Sequence, residues 1–208
     1  MGKTVFVNPE RCIGCRQCEF ACAVEASRSK DPVAALFERP PPHTRIHVEA
    51  GTTPNTSYPS RCVHCDPAPC LPVCPTGAIH RDPDENLVLV DQARCIACAM
   101  CAIVCPFDAV TFHPAARNGD DHMAATKCDG CVHLVTRGLA PACVDVCKVD
   151  ALVYGELNEL VAEGRVGQAA RALSAVASAP GESGDGSASV DAWRSFGAEV
   201  KTIESRQP

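Results

Sequence analysis

The stretch Cys95-Ile-Ala-Cys98-Ala-Met-Cys101-Ala-Ile-Val-Cys105-Pro106 decides how this chain is read. Its cysteines follow the spacing C-x2-C-x2-C-x3-C, and the same spacing recurs without deviation at Cys12, Cys15, Cys18 and Cys22. Two further quartets complete the set: Cys62, Cys65, Cys70 and Cys74, ending in Cys74-Pro75, and Cys128, Cys131, Cys143 and Cys147. These quartets use all 16 cysteines of a 208-residue chain that has only one Trp, two Tyr and six Phe. Such a chain is one or two compact units with too few large rings to fill an ordinary core. Something other than side chains must fill the middle.

Compartment and charge narrow the choice. Met1 to Glu10 contain no charged region leading into an apolar run and no twin-arginine pair, so a cytoplasmic location is expected. No apolar run approaches the 18 or so residues of a membrane span, so no direct span is expected. In a reducing cytosol a disulfide framework is disfavoured. The net charge is -6 with Lys and Arg scattered, which leaves no basic footprint for nucleic acid or anionic lipid.

The spacing points to iron-sulfur chemistry. Three thiolates two residues apart on a tight loop can wrap three corners of a cubane. The fourth cysteine lies on the helix that leaves the loop, roughly 6 Å along its axis at 1.5 Å per residue. It points away from its own loop, which is why the fourth cysteine of such a run ligates the other cluster of a two-cluster unit. Ile13, Gly14, Ile96 and Ala97, between ligands, are expected to close the loops and keep water off the clusters. The competing reading is a zinc-stabilised interaction scaffold, but structural zinc sites use two C-x2-C pairs and need no closely spaced third cysteine.

Other polar groups read blandly. His64 and His133 adjoin ligand cysteines and are expected to donate hydrogen bonds nearby or to face solvent rather than to bind metal. His43, His47, His80, His113 and His122 show no metal spacing. With no cysteine spare, no nucleophile set is credible and no catalytic residue is expected. Gly181 to Gly186 lacks a lysine and a preceding strand, so it reads as a linker rather than a phosphate loop. Asp82, Asp84 and Glu85 read as a solvated turn.

The sequence resembles the four-cluster ferredoxin-like electron-transfer subunits of oxidoreductase complexes. Relatives of that kind serve dimethyl sulfoxide reductase, formate dehydrogenase, hydrogenase, carbon monoxide dehydrogenase-linked and tungsten aldehyde oxidoreductase systems. The matching stretches are Cys12 to Cys22, Cys62-Val-His-Cys65 with Pro69-Cys70 to Ala78, Cys95 to Cys98, and Lys127-Cys128-Asp-Gly-Cys131 with Pro141-Ala-Cys143; they lie within residues 4–154. The resemblance implies four [4Fe-4S] clusters, with quartets one and four sharing one pair and two and three the other. The implied ligand sets are Cys12, Cys15, Cys18 with Cys147; Cys128, Cys131, Cys143 with Cys22; Cys62, Cys65, Cys70 with Cys105; and Cys95, Cys98, Cys101 with Cys74. Lys148 follows Cys147 where the family often has proline, and a lysine there is expected to raise the potential of its cluster.

The implied function is a subunit without its own active site. It carries single electrons between a catalytic subunit, with a tungsten or molybdenum aldehyde or formate oxidoreductase favoured, and a redox acceptor. A carbon monoxide dehydrogenase/hydrogenase system is the alternative. Further copies of this chain and a flavin or other redox subunit are additional partners to consider.

The expected fold class is α+β: tandem two-cluster units of the bacterial ferredoxin kind with small insertions and a C-terminal helical extension. Thr4 to Val7, Thr44 to Glu49 and Asn86 to Val90 read as strands, the second covering a cluster edge and the third packing Val88 and Val90 beside clusters. Cys74, Cys105 and Cys147 are each followed by alanine four residues on and then Ile79, Val110 or Leu152, a repeated passage from helical turn to strand. The expected organisation is a cluster domain over 1–155, a helical extension over 156–178, a Gly/Ser-rich linker over 179–189 and a docking helix over 190–208. The extension would present Val166, Ala169, Ala170, Leu173 and Ala177, and the docking helix Trp193, Phe196, Val200 and Ile203.

Overall fold

The computed structural model describes residues 3–51, 56–117 and 120–165. The chain divides into units Met1–Ala162 and Glu163–Pro208. Of the second unit only 163–165 are described, and they are helical. The expected stripe from Val166 to Ala177 and the Trp193 helix lie outside the described residues.

The first unit is built from short elements. β1 (Lys3–Val7) leads through the first cysteine loop into α1 (Gln17–Ala26), the one helix of more than four residues for which both ends are described. β2 (Ile46–Ala50) and β3 (Ser57–Arg61) follow, then β4 (Ile79–Arg81) and β5 (Val88–Val90). The one-turn helix α2 (Met100–Ile103) precedes the longest hairpin, β6 (Thr111–Arg117) and β7 (Asp120–Thr126). Two more one-turn helices, α3 (Val132–Val135) and α4 (Ala142–Asp145), lead to β8 (Leu152–Glu156).

The strands form four separate two-stranded antiparallel sheets: β1 with β8, β2 with β3, β4 with β5, and β6 with β7. The β1–β8 register, Lys3↔Glu156 through Val7↔Leu152, brings the first and fourth cysteine quartets together. The β4–β5 register, Ile79↔Val90 through Arg81↔Val88, lies between the second and third. Ribbons this small carry little stability of their own, so their apolar faces must rest on something else. In β2, Ile46 and Val48 are buried while their neighbours are not, the period-2 pattern of a half-buried strand.

Two small apolar cores result, and both are threaded with cysteine. One joins Val5, Ile46, Val48 and Leu152 to Cys18 and Cys143, with Cys12, Cys22 and Cys147 packed against it. The other joins Ala68, Ile79, Val88, Val110 and Ala125 to Cys101, with Cys65, Cys70, Cys74, Cys95 and Cys105 alongside. The repeated passage after the fourth cysteine is as expected: Ile79 and Leu152 begin strands, and Val110 directly precedes one.

Three expectations need correction. Among the fourth cysteines of the quartets, only Cys22 lies within a helix. Cys74 lies in a turn, and Cys105 and Cys147 lie just past one-turn helices. Left-handed residues three positions on, Gly77 (φ 59°), Asp108 (φ 47°) and Asp150 (φ 49°), swing the chain into strand instead. Glu156 belongs to β8, so the helix expected from 156 starts at 157. Ile13 and Ile96 do not face inward; they are 69% and 62% exposed.

Candidate metal centres

The four cysteine loops share one backbone device. Two residues after the first cysteine of each quartet stands a left-handed residue: Gly14 (φ 70°), His64 (φ 53°), Ala97 (φ 53°) and Gly130 (φ 67°). This reversal turns amides toward sulfur. Ala97 N–H donates to Cys95 Sγ at 3.4 Å and Gly130 N–H to Cys128 Sγ at 3.4 Å. An amide turned inward leaves the preceding side chain outside, which accounts for the exposure of Ile96.

Secondary elements supply further donors. Arg45 N–H, at the entry to β2, donates to Cys22 Sγ at 3.3 Å, so this segment covers the cysteine edge as expected. Ala125 N–H, on β7, donates to Cys95 Sγ at 3.3 Å. The Thr76 hydroxyl lies 3.7 Å from Cys74 Sγ. Amides aimed at sulfur favour thiolate over thiol.

The structure draws cysteines from different quartets into common cavities. Cys62, Cys65, Cys70 and Cys105 line one, together with Val88 and Lys127. Cys74, Cys95, Cys98 and Cys101 line another, together with Val90 and Phe112. Val88 and Val90 therefore each back a different cysteine cavity. A third grouping shows in the electrostatics: burial pushes the Cys143 thiol up, and the nearby Cys128, Cys131 and Cys22 thiols push it further. Burial likewise holds Cys131 at about 12. In the fourth grouping burial holds Cys18 at about 11, with Cys12 as a neighbour, and Cys147 packs against the same core. Cys15 and Cys98 are exposed.

This arrangement suits a cluster rather than a single ion. Four thiolates around one zinc must converge to Zn–S distances of about 2.3 Å. Among the described residues no three Cys, His, Asp or Glu side chains converge in that way. In two of the groupings four thiols instead ring a cavity, as the four separated corners of a [4Fe-4S] cluster require. The cavity walls also leave a buried donor waiting. His64 Nδ1 accepts from Val88 N–H at 3.0 Å, so its proton is on Nε2, which is buried without a protein partner.

The 4Fe-4S dicluster domain family matches residues 55–157, and the 4Fe-4S binding domain family matches residues 4–27. The electron transport protein HydN of Escherichia coli (strain K12) is 38% identical over 169 residues, which is 77% of this chain and 91% of that protein. The chain belongs to the ferredoxin-like electron-transfer subunits. As a member of that family with sixteen cysteines in ferredoxin-like runs, it carries four [4Fe-4S] clusters. An iron-sulfur protein of Rhodospirillum rubrum is 38% identical over 160 residues, 74% of this chain and 82% of that protein. The thiosulfate reductase electron transfer subunit PhsB of Salmonella typhi is 36% identical over 170 residues, covering 77% and 79%. Among the described residues no helix is long and apolar enough to cross a membrane.

Several residues that shape these sites carry no sequence signal of doing so. Arg61 and Lys127 are buried cations, 6% and 5% exposed, whereas Lys148, the cation expected to matter, is exposed. Arg45 and Asp129 form an ion pair beside Cys22 and Cys128. Other histidines have partners of their own: His133 pairs with Glu25, and the His43 and His113 rings stack at 3.7 Å.

Proposed function

We propose that this chain is the electron conduit of an oxidoreductase complex, with its thiols holding the four clusters in two interleaved pairs. The ligand sets are Cys12, Cys15, Cys18 with Cys147; Cys128, Cys131, Cys143 with Cys22; Cys62, Cys65, Cys70 with Cys105; and Cys95, Cys98, Cys101 with Cys74. The observation that carries this reading is the make-up of the two cores. One mixes cysteines of quartets one and four, and the other mixes those of two and three. Residues 1–155 form the cluster domain, as tandem two-cluster units, and residues 156–208 serve assembly.

Each cluster, when bound, takes up and releases one electron. The protein's part is to supply thiolates, aim amides at their sulfurs and keep water away. The exposed cysteines, Cys15 and Cys98, with Ile13 and Ile96 beside them, mark the two loops at which electrons enter and leave. No thiol is left over for catalysis, so the chain conducts and its partner reacts. We assign that partner as the catalytic subunit of a molybdenum or tungsten oxidoreductase acting on formate or an aldehyde. The resemblance of the cysteine runs supports this, while kinship with an electron transfer subunit of thiosulfate reductase supports a catalytic partner subunit more generally.

Anaerobic affinity purification of the full chain from its native cell, followed by peptide identification and iron analysis, tests the proposal. About sixteen iron per chain and co-purification of a molybdenum or tungsten enzyme are expected. A colourless zinc protein, or a chain that purifies alone with enzymatic activity of its own, would overturn it.

A further inference from the structure

Arg61 and Lys127 are buried cations that no carboxylate among the described residues pairs with. Each of the ion pairs among the described residues involves other groups. Lys127 Nζ donates only to main-chain carbonyls, those of Val88 and of Cys128, the latter at 2.9 Å. The Arg61 guanidinium donates to the carbonyls of Cys62, at 2.8 Å, and Val5, and its Nε–H is buried with no partner. Charge taken out of water without a counter-charge is strongly disfavoured, and carbonyl dipoles compensate only part of the loss. Among the described residues, no anion offsets them.

The thiol sites lie where that anion is needed. Lys127 lines the cavity of Cys62, Cys65, Cys70 and Cys105 and is also the residue before Cys128. Its charge opposes the rise that burial imposes on the Cys70 thiol. Arg61 is the residue before Cys62 and donates to its carbonyl. His64 lines the same cavity as Lys127, where its Nδ1 accepts from Val88 N–H at 3.0 Å. Asp129, whose charge also reaches His64, is already engaged by Arg45. Lys127 thus adjoins both central thiol groupings, one from each core, and Arg61 adjoins the one that includes Cys62.

We propose that Lys127 and Arg61 are the fixed counter-charges of the two central clusters, raising their reduction potentials above those of the clusters at the exposed loops. The proposal rests on the cluster assignment given above. A fixed positive charge in a medium of low dielectric favours the reduced, more negative state of a neighbouring cluster. Electrons entering at either exposed loop then collect at the junction between the two cores. Lys127 and Arg61 are positioning residues for charge and ligate nothing.

The test is a potentiometric titration of the full anaerobic chain, followed by electron paramagnetic resonance, with iron counted in each sample. In Lys127→Met, one or two central clusters should show at least a tenfold fall in the ratio of reduced to oxidised form at fixed ambient potential. For a one-electron couple that is a shift of 59 mV. The other clusters should hold their midpoints, Lys127→Arg should restore the wild-type pattern, and the shift should persist at high salt because a buried charge is little screened. Four unchanged midpoints in Lys127→Met with all iron retained would overturn the proposal. Should Lys127→Met and Lys127→Gln both lose one cluster, its retention in Lys127→Arg supports the counter-charge role, and its loss there too refutes it. A wild-type chain lacking four clusters would instead sink the assignment beneath it.

Discussion

The Arg45 guanidinium holds the Asp129 carboxylate, while the N–H of Arg45 donates to Cys22 Sγ at 3.3 Å. Asp129 in turn accepts from Cys131 N–H at 2.9 Å. One ion pair therefore ties the segment entering β2 to the loop of the fourth quartet and to the helix of the first, across 84 residues of sequence. Both partners are only partly exposed, 24% and 31% at their side chains.

Asp129→Asn is expected to destabilise the holo-protein by about 1–3 kcal/mol, the cost of leaving a charged hydrogen-bonding group without its partner. Burial raises the Asp129 pKa, but Arg45 and the Cys131 amide outweigh it and the net shift is downward. A depressed carboxylate contributes its stability above the unfolded pKa of about 3.9 and loses it only as pH falls through the folded value. The stability difference between wild type and variant, from anaerobic denaturation, should therefore be flat between about pH 8 and 5.5. A difference that already shrinks across that range would contradict the pairing.

Gly130 and Ala97 occupy equivalent left-handed positions and invite opposite substitutions. At Gly130 (φ 67°) a Cβ would lie 2.8 Å from both Leu87 methyl carbons. Gly130→Ala should cost at least 1–2 kcal/mol, roughly the left-handed strain alone. Ala97→Gly (φ 53° at Ala97) relieves similar strain against about 0.4–1 kcal/mol of added chain entropy, so a net gain of about 0.5–1 kcal/mol is expected. Rates of iron loss to a chelator should move with these stabilities, slower for Ala97→Gly and faster for Gly130→Ala; the reverse order would refute the loop geometry.

Removal of the clusters should unfold the protein. Its two cores are mostly small aliphatic side chains lying against cysteines, and its sheets are four separate two-stranded ribbons. Where no site preexists, metal affinity is folding free energy. Calorimetry of the chelated chain should show no cooperative transition. A transition close to that of the holo-protein would disprove the dependence.

The cysteine runs were legible because ligand spacing is set locally, by how a loop wraps a corner. Strands β1, β2 and β5 were legible for the same reason, since alternating branched residues mark them. The β6–β7 hairpin was missed: its strands are rich in alanine and include Pro114, although Asn118-Gly119 between them is a hairpin signal. β3 was missed because Pro59 lies in it, which a two-stranded ribbon tolerates, both strands being edges. Burial of Lys127 and Arg61 depends on contacts 39 and 56 residues away, with Val88 and Val5, so no local pattern distinguishes them from the exposed Lys148.

The interleaving of the quartets is the central claim, and an iron-edge anomalous difference map from anaerobic crystals of the full chain tests it most directly. The account predicts four compact iron groups, with Cys147 joined to the one on Cys12, Cys15 and Cys18, and Cys22 to the one on Cys128, Cys131 and Cys143. Cys105 should join Cys62, Cys65 and Cys70, and Cys74 should join Cys95, Cys98 and Cys101. A map with Cys147 on the same iron group as Cys128 and Cys131, or with single-ion peaks between paired cysteines, would contradict it.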